Sequence, residues 1–353
     1  MRVLVVVEQL RRPVPGGVGT YARGLLAGLA RLGPEGPEVA LHASRPTSSP
    51  DPLRAFGLPL RLRPLPGRAL TGLWERGLLP APAGYDVVHS TSMAFPPPRG
   101  PATVMIHDLT WRAVPEAFPA RGRRWHEAAL GRAIRTGVGL VAPSQATAAA
   151  LAAAGAGPVT VIEEGCDHLP PPDQAGADAL LARLGVDGPF FLSVGTQEPR
   201  KNLARLFEAF GRARPRLPGP WPLVVVGPSG WGPELTAGPG VLAAGAVSDA
   251  VLAALYRRAR ALAYVPLVEG FGLPPVEAMH AGLPVVASPM PSTGGAALEV
   301  DPLDVEGIAR ALEEVAGDDA RHAALADAGA RRAAGLTWEG AARRHVELWR
   351  SRC

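Results

Sequence analysis

The opening stretch MRVLVVVEQLRRPVPGGVGTYARGLLAGLA, residues 1–30, sets the architecture. Arg2–Val7 is a short, valine-rich apolar run, the composition of a buried strand. Gly16-Gly17-Val18-Gly19-Thr20-Tyr21 follows, and Tyr21, Leu25, Leu26 and Leu29 then recur at the spacing of one helix face. The apolar run leads into Glu8, Arg11 and Arg12 with no cleavage-like site, so it reads as a first strand and not as a signal peptide.

Moving outward, strands are expected at Val39–His42, Asp86–His89, Thr103–His107 and Gly139–Ala142, with helices at Arg123–Arg135 and Ala146–Ala154. Such alternation implies a mostly parallel sheet covered on both faces. Leu169–Gly176 reads as a stiff polar connection and is taken as a domain boundary. A second alternation follows: strands Pro189–Gly195, Leu223–Gly227, Ala261–Pro266 and Pro284–Ser288, and helices Leu203–Arg214, Asp249–Arg260, Pro275–Ala281 and Val305–Val315. Trp338–Arg350 closes the chain as a terminal helix. A chain of 353 residues exceeds what one core usually serves. The expectation is an α/β protein of two doubly wound domains, 1–170 and 171–335, with 336–353 returning to the first. Ligands of such sheets bind beyond the carboxyl ends of the strands.

Composition narrows the function classes. A net charge of +4 is spread along the chain, and no aromatic-studded basic motif suggests a nucleic-acid partner. No apolar run approaches the ~20 residues that span a bilayer. Cys166 and Cys353 lie far apart and have no metal-ligand spacing, which reads as free thiols. The cluster Arg121, Arg123, Arg124 and Trp125 is read first as a solvated face, and second as a contact for an anionic acceptor or membrane surface.

Two segments carry the chemistry. Gly195-Thr196-Gln197-Glu198-Pro199-Arg200-Lys201-Asn202 lies between a strand and a helix, where loop amides and two cations favour a diphosphate. A solvated basic pair is the bland alternative. However, Lys201 is the sole lysine in a chain that otherwise uses arginine. The second segment is Glu269-Gly270-Phe271-Gly272-Leu273-Pro274-Pro275-Val276-Glu277-Ala278-Met279. Its glycines let backbone approach a ligand, and Pro275 suggests that Glu277 lies in the opening helical turn. Glu269 and Glu277, taken together, suit sugar and ribose hydroxyls. His107 and Asp108 end a strand, where a satisfied structural histidine and a turn-capping aspartate are the bland readings. His89, also near a strand end, reads as structural or acceptor-facing.

At these residues the chain resembles a family-4 glycosyltransferase of the GT-B fold. The E-G-F-G-L-P-P-V-E-A-M segment, the G-T-Q-E-P-R-K-N loop, I-H-D-L at Ile106–Leu109 and G-G-V-G-T-Y carry the likeness over almost the full length. The resemblance implies an amino-terminal acceptor domain and a carboxy-terminal nucleotide-sugar domain. Arg200 and Lys201 would hold the donor diphosphate, and Glu277 the ribose. Glu269 and the amides of Gly270, Phe271, Gly272 and Leu273 would meet the donor sugar, beside Gly195. His107 with Asp108 would face the transferred sugar, and Gly16 and Gly17 the phosphates or the acceptor. It further implies retention of configuration, no bound metal and no other cofactor.

The segment Ile106–Phe118 resembles bacterial polysaccharide mannosyltransferases, so GDP-mannose is the first expected donor and a UDP-sugar the second. The acceptor would be a glycan or lipid-linked, the location cytoplasmic, with peripheral association at the inner membrane face as an option. Alternatives are a catalytically weak sugar-nucleotide-binding subunit or an epimerase of the same fold. Three departures stand out: a shortened loop at Pro289–Gly295 lacking a Glu-Val pair, Glu164 in place of Asn, and His280 in place of Ala, the last two expected to leave the core motifs untouched.

Overall fold

The computed structural model describes residues 1–46, 48–232 and 237–353. Two all-parallel sheets are built from thirteen strands among these residues. The first sheet contains β1 (Arg2–Val6), β2 (Glu38–Ala43), β3 (Leu60–Leu62), β4 (Val87–Ser90), β5 (Ala102–Met105), β6 (Gly139–Ala142) and β7 (Val159–Val161). Its order is β3-β2-β1-β4-β5-β6-β7. The second contains β8 (Phe191–Val194), β9 (Leu223–Val226), β10 (Val241–Gly245), β11 (Ala261–Tyr264), β12 (Val285–Ala287) and β13 (Leu298–Glu299), in the order β10-β9-β8-β11-β12-β13. Each sheet therefore reverses its winding once, between β1 and β4 and between β8 and β11. These are the switch points beyond which doubly wound sheets take their ligands.

β6, β9, β11 and β12 are buried throughout, and the other central strands nearly so, which is why they read as apolar runs without alternation. Register is specific: β1 sets Val5 beside His89 of β4, and β4 sets His89 beside Thr103 of β5. In the second sheet Leu192 lies beside Leu262, and Val194 beside Val226.

The chain divides into two compact units. One comprises Met1–Arg112, Phe118–His168 and Thr337–Cys353; the other comprises Leu169–Leu336 with Ala113–Ala117. In the first unit, helix Gly16–Arg31 packs on terminal helix Trp338–Arg350. Gly24 and Gly28 allow this approach, because a Cβ on either would stand 2.1 Å from Trp338. In the second, Trp231 donates its indole N–H to the Ala117 carbonyl at 3.1 Å, which groups that short segment with residues 169–336.

Three expectations need correction. The stiff connection is shorter than expected, because Asp173 caps a helix at Gln174–Arg183 by accepting from the Gly176 amide at 2.9 Å. The glycine-rich segment at residue 16 is itself the first turn of helix Gly16–Arg31, not a loop before it. Helices Gly67–Glu75 and Asp319–Ala334 and strands β3, β7 and β10 were not expected at all.

Candidate active site

At the switch point of the second sheet, β8 ends at Val194 and the backbone turns through Gly195, whose φ of +149° suits glycine. The chain crosses to a short turn, Pro199–Lys201, and Asn202 adopts a left-handed φ of 59° before helix Leu203–Ala213 begins. Asparagine tolerates that conformation better than most residues. Its amide donates to the Val265 and Pro302 carbonyls at 2.9 and 2.8 Å, while the Leu267 amide donates to the Arg200 carbonyl at 2.9 Å. The Arg-Lys turn is thus clamped to the loop that leaves β11.

This clamp brings Lys201, Arg200 and Glu269 together. Lys201 Nζ donates to Glu269 Oε1 at 2.7 Å and to the Tyr264 hydroxyl at 2.6 Å. The Tyr264 hydroxyl donates to Glu269 Oε1 at 2.8 Å, and Arg200 Nη1 stands 2.8 Å from the same oxygen. Arg200 Nη2 also donates to buried Glu198. Burial raises the cost of charge on Glu269, yet Lys201 and Arg200 outweigh it and hold the carboxyl down to about 2. Burial lowers the Lys201 pKa, partly offset by Glu269. Two cations and two carboxylates balance, the condition under which such charges stay buried without a ligand.

The second glutamate is placed differently from the expectation. Helix Leu273–His280 starts two residues early, so Glu277 lies in its second turn. It is buried and accepts from the Tyr256 hydroxyl at 2.8 Å. Gly272 precedes the helix at φ +99°, and a Cβ there would lie 2.5 Å from Met290 Sδ. The Ser292 amide donates to the Phe271 carbonyl at 3.2 Å. The shortened Pro289–Gly295 loop is therefore the floor beneath the Glu269–Leu273 segment. The Phe271 and Leu273 side chains are buried, leaving their backbone as the part open to a ligand role.

In the first unit, His107 follows β5. Its Nδ1 pairs with Glu164 Oε1 at 3.1 Å and its Nε2 with the Thr91 carbonyl at 3.0 Å. Both partners accept, so the ring satisfies both only with a hydrogen on each nitrogen. Burial opposes that charge, but Glu164, the Thr91 carbonyl and Asp108 outweigh it and raise the pKa above the ordinary histidine value. Glu164 therefore does touch a core motif, contrary to expectation. Asp108 accepts from the amide and hydroxyl of Thr110 at 2.9 and 2.6 Å, the turn-capping role of the bland reading. His89 is fully buried and structural. Gly16 has φ +61°, and nothing lies within 4 Å of a Cβ built on Gly16 or Gly17, so their backbone faces open space. A cavity of about 530 Å³ opens beside His107 and Asp108.

Glu198, Tyr264, Tyr256 and Glu164 were not singled out as site residues. A compositional signal existed for the phenols: the chain has four tyrosines, and two of them hold the two site glutamates. Among the described residues no group of three or more His, Cys, Asp or Glu is placed to hold a metal ion, and no helix is long and apolar enough to cross a membrane. Neither Cys166 nor Cys353 is in a disulfide.

Comparison with known proteins finds relatives over both units. Residues 15–168 match the model of Glycosyltransferase Family 4, and residues 188–318 match that of Glycosyl transferases group 1. O-antigen chain mannosyltransferase B of Escherichia coli is 25% identical over 387 aligned positions, covering 99% of this chain and 100% of that protein. HepE of Anabaena, solved with UDP and glucose, superposes with a TM-score of 0.74 at 18% identity, covering 99% of this chain and 100% of that one. Sucrose-phosphate synthase of Thermosynechococcus elongatus gives 0.74 at 21% identity, with coverage of 99% and 98%. These likenesses establish the GT-B fold.

Proposed function

Because the chain belongs to the family-4 glycosyltransferases, we propose that it moves a hexose, mannose first, from a nucleoside diphosphate sugar to a glycan or lipid-linked acceptor with retention of configuration. The observation that carries the donor reading is the Lys201–Arg200–Glu269 cluster at the β8/β11 switch point. An arriving diphosphate offers Lys201 and Arg200 a stronger anionic partner than the one carboxylate oxygen they share. Their shift toward it releases Glu269 to accept hydrogen bonds from sugar hydroxyls. Glu277, oriented by Tyr256, is assigned to the ribose.

In the reaction, the acceptor hydroxyl oxygen attacks the anomeric carbon on the face from which the diphosphate departs. The bond to the diphosphate oxygen breaks as the new glycosidic bond forms, and a leaving phosphate oxygen takes the acceptor's proton. Arg200 and Lys201 stabilise the charge growing on that leaving group, so no metal is required in this scheme. Mannose rests on the likeness to the mannosyltransferase, and GDP is its expected carrier, with UDP the alternative suggested by HepE.

The test is Lys201→Ala. Removing one such preorganised charge should cut turnover by about 10²–10³-fold and abolish thermal stabilisation by GDP and UDP, with the unliganded melting curve still cooperative. Undiminished nucleotide stabilisation would overturn the assignment. Trapping a covalent glycosyl-enzyme would exclude the same-face mechanism, and absence of transfer by the purified wild-type chain over a panel of GDP- and UDP-hexoses would favour a binding subunit.

A further inference from the structure

The basic, tryptophan-containing segment after Phe118 is not used by the donor site. It lines a cavity of the first unit, of about 530 Å³, within the usual range of a small-molecule site. The cavity lies past the carboxyl ends of the first sheet: Arg12 follows β1, Met93 follows β4 and His107 follows β5.

Its aromatic wall is rigid. Trp111 is buried, stacks on His126 at 4.6 Å and 25°, and donates its indole N–H to Glu127 at 2.6 Å. His126 is itself held to the Gly122 carbonyl at 2.8 Å. Trp125 meets His126 edge-on at 4.9 Å and donates its N–H to Glu75 at 2.7 Å. With both indole N–H groups committed to carboxylates, the tryptophans offer the cavity ring surface alone, which suits the C–H face of a sugar.

The cavity's charge is positive. Arg12 and Arg121 are exposed, and neither forms an ion pair or side-chain hydrogen bond among the described residues. Their neighbours differ: Arg11 is committed to Asp51, and Arg112 to Glu127. The lining carboxylate, Asp108, is engaged by Thr110. Two uncommitted guanidiniums beside an aromatic wall match an anion with tetrahedral oxygens attached to a ring.

We propose that this cavity takes a phosphorylated saccharide, its sugar face against Trp111 and Trp125 and its phosphate against Arg12 and Arg121. The inference rests on the transferase reading and names the acceptor class for it: the reaction that supplies this acceptor must have placed a phosphate on, or next to, the sugar to be extended.

Calorimetric titration of the full chain with mannose 1-phosphate, mannose, inorganic phosphate and a short-chain alkyl mannosyl phosphodiester tests it. Mannose 1-phosphate should bind at least about tenfold tighter than mannose or phosphate alone. The double substitution Arg12→Gln/Arg121→Gln should reduce it to the level of mannose, and Trp125→Ala should weaken both sugars. Lys201→Ala should retain the binding, which places the signal outside the donor site. Tighter binding of the alkyl diester supports a lipid-linked source, and weaker binding a soluble sugar phosphate; both support the class. Equal affinity for mannose and mannose 1-phosphate overturns the proposal, as does phosphate matching mannose 1-phosphate, or indifference to the arginine substitutions. Failure of GDP and UDP to stabilise the wild-type chain strikes the donor reading instead, so the two failures are read separately.

Discussion

Two buried polar networks, one in each unit, solve the same problem in opposite ways. In the first, the Trp349 indole donates to Thr103 Oγ1 at 3.1 Å, and Thr103 pairs with His89 Nδ1 at 2.9 Å. His89 Nε2 and His345 Nε2 flank the Tyr21 hydroxyl at 3.0 and 2.9 Å, and His345 Nδ1 pairs with the Ala341 carbonyl at 2.8 Å. The carbonyl can only accept, so His345 carries its hydrogen on Nδ1 and accepts from Tyr21. Tyr21 in turn accepts from His89, and His89 accepts from Thr103. Every hydrogen has one place, and both rings are neutral. Burial lowers His345 to about 4 and His89 well below its ordinary value. In the second unit, Lys201, Arg200, Glu198 and Glu269 answer burial with opposed charges. The neutral chain ties the terminal helix to helix Gly16–Arg31 and to β4 and β5; nothing in it can be exchanged cheaply. The charged cluster can trade one anion for another, which suits a binding site.

The same substitution should separate the two. Tyr21→Phe strips both histidines of a partner, and at about 1–3 kcal/mol per orphaned buried group should lower stability in urea melts by roughly 3 kcal/mol. Comparable in size is the pH effect. His345 has a folded pKa below its unfolded one, so its contribution is complete above about 6.5 and is lost as pH falls toward about 4. Melting temperature should drop across that window, the His345 share being equivalent to about 3 kcal/mol at most, and His89 acts in the same direction. Glu269, held down to about 2, stays ionised there, so GDP or UDP should still stabilise the protein at pH 5. Loss of both together would erase the distinction.

Third, Tyr264→Phe removes one donor from Glu269 but leaves the Lys201 pair intact. It should cost only about 1 kcal/mol while measurably weakening nucleotide binding. A loss as large as that of Tyr21→Phe would show that the charged cluster is structural. The smallest effect is expected from Glu164→Gln. It removes the carboxylate that raises the His107 pKa, which should fall in an NMR titration of the ring; an unchanged value would assign the shift to other groups.

Much of this was legible in the chain. The strands with long valine and leucine runs announce themselves, because a parallel strand buried on both faces can tolerate little else. β3 and β7 do not, being three residues long and only partly buried, nor does β10, which is only partly buried. Arg200, Lys201, Glu269 and Glu277 stood out through residue type and spacing. Glu164 did not, because it meets His107 across 57 residues of intervening chain. Nor did the early start of helix Leu273–His280, where Gly272 sets a turn that Pro275 alone would place two residues later.

The sequence by itself determined two doubly wound sheets, a cationic turn after β8 and a carboxylate pair after β11. These follow from local periodicity and from residue types whose roles travel with neighbours in the chain. Only the tertiary structure decided that one carboxylate oxygen gathers Lys201, Arg200 and Tyr264, that Glu164 holds His107, and that three residues from distant segments close a neutral hydrogen-bond chain at Tyr21. Such partnerships depend on strand order and register, and parallel sheets set both through crossovers whose lengths leave no local mark on the residues they bring together.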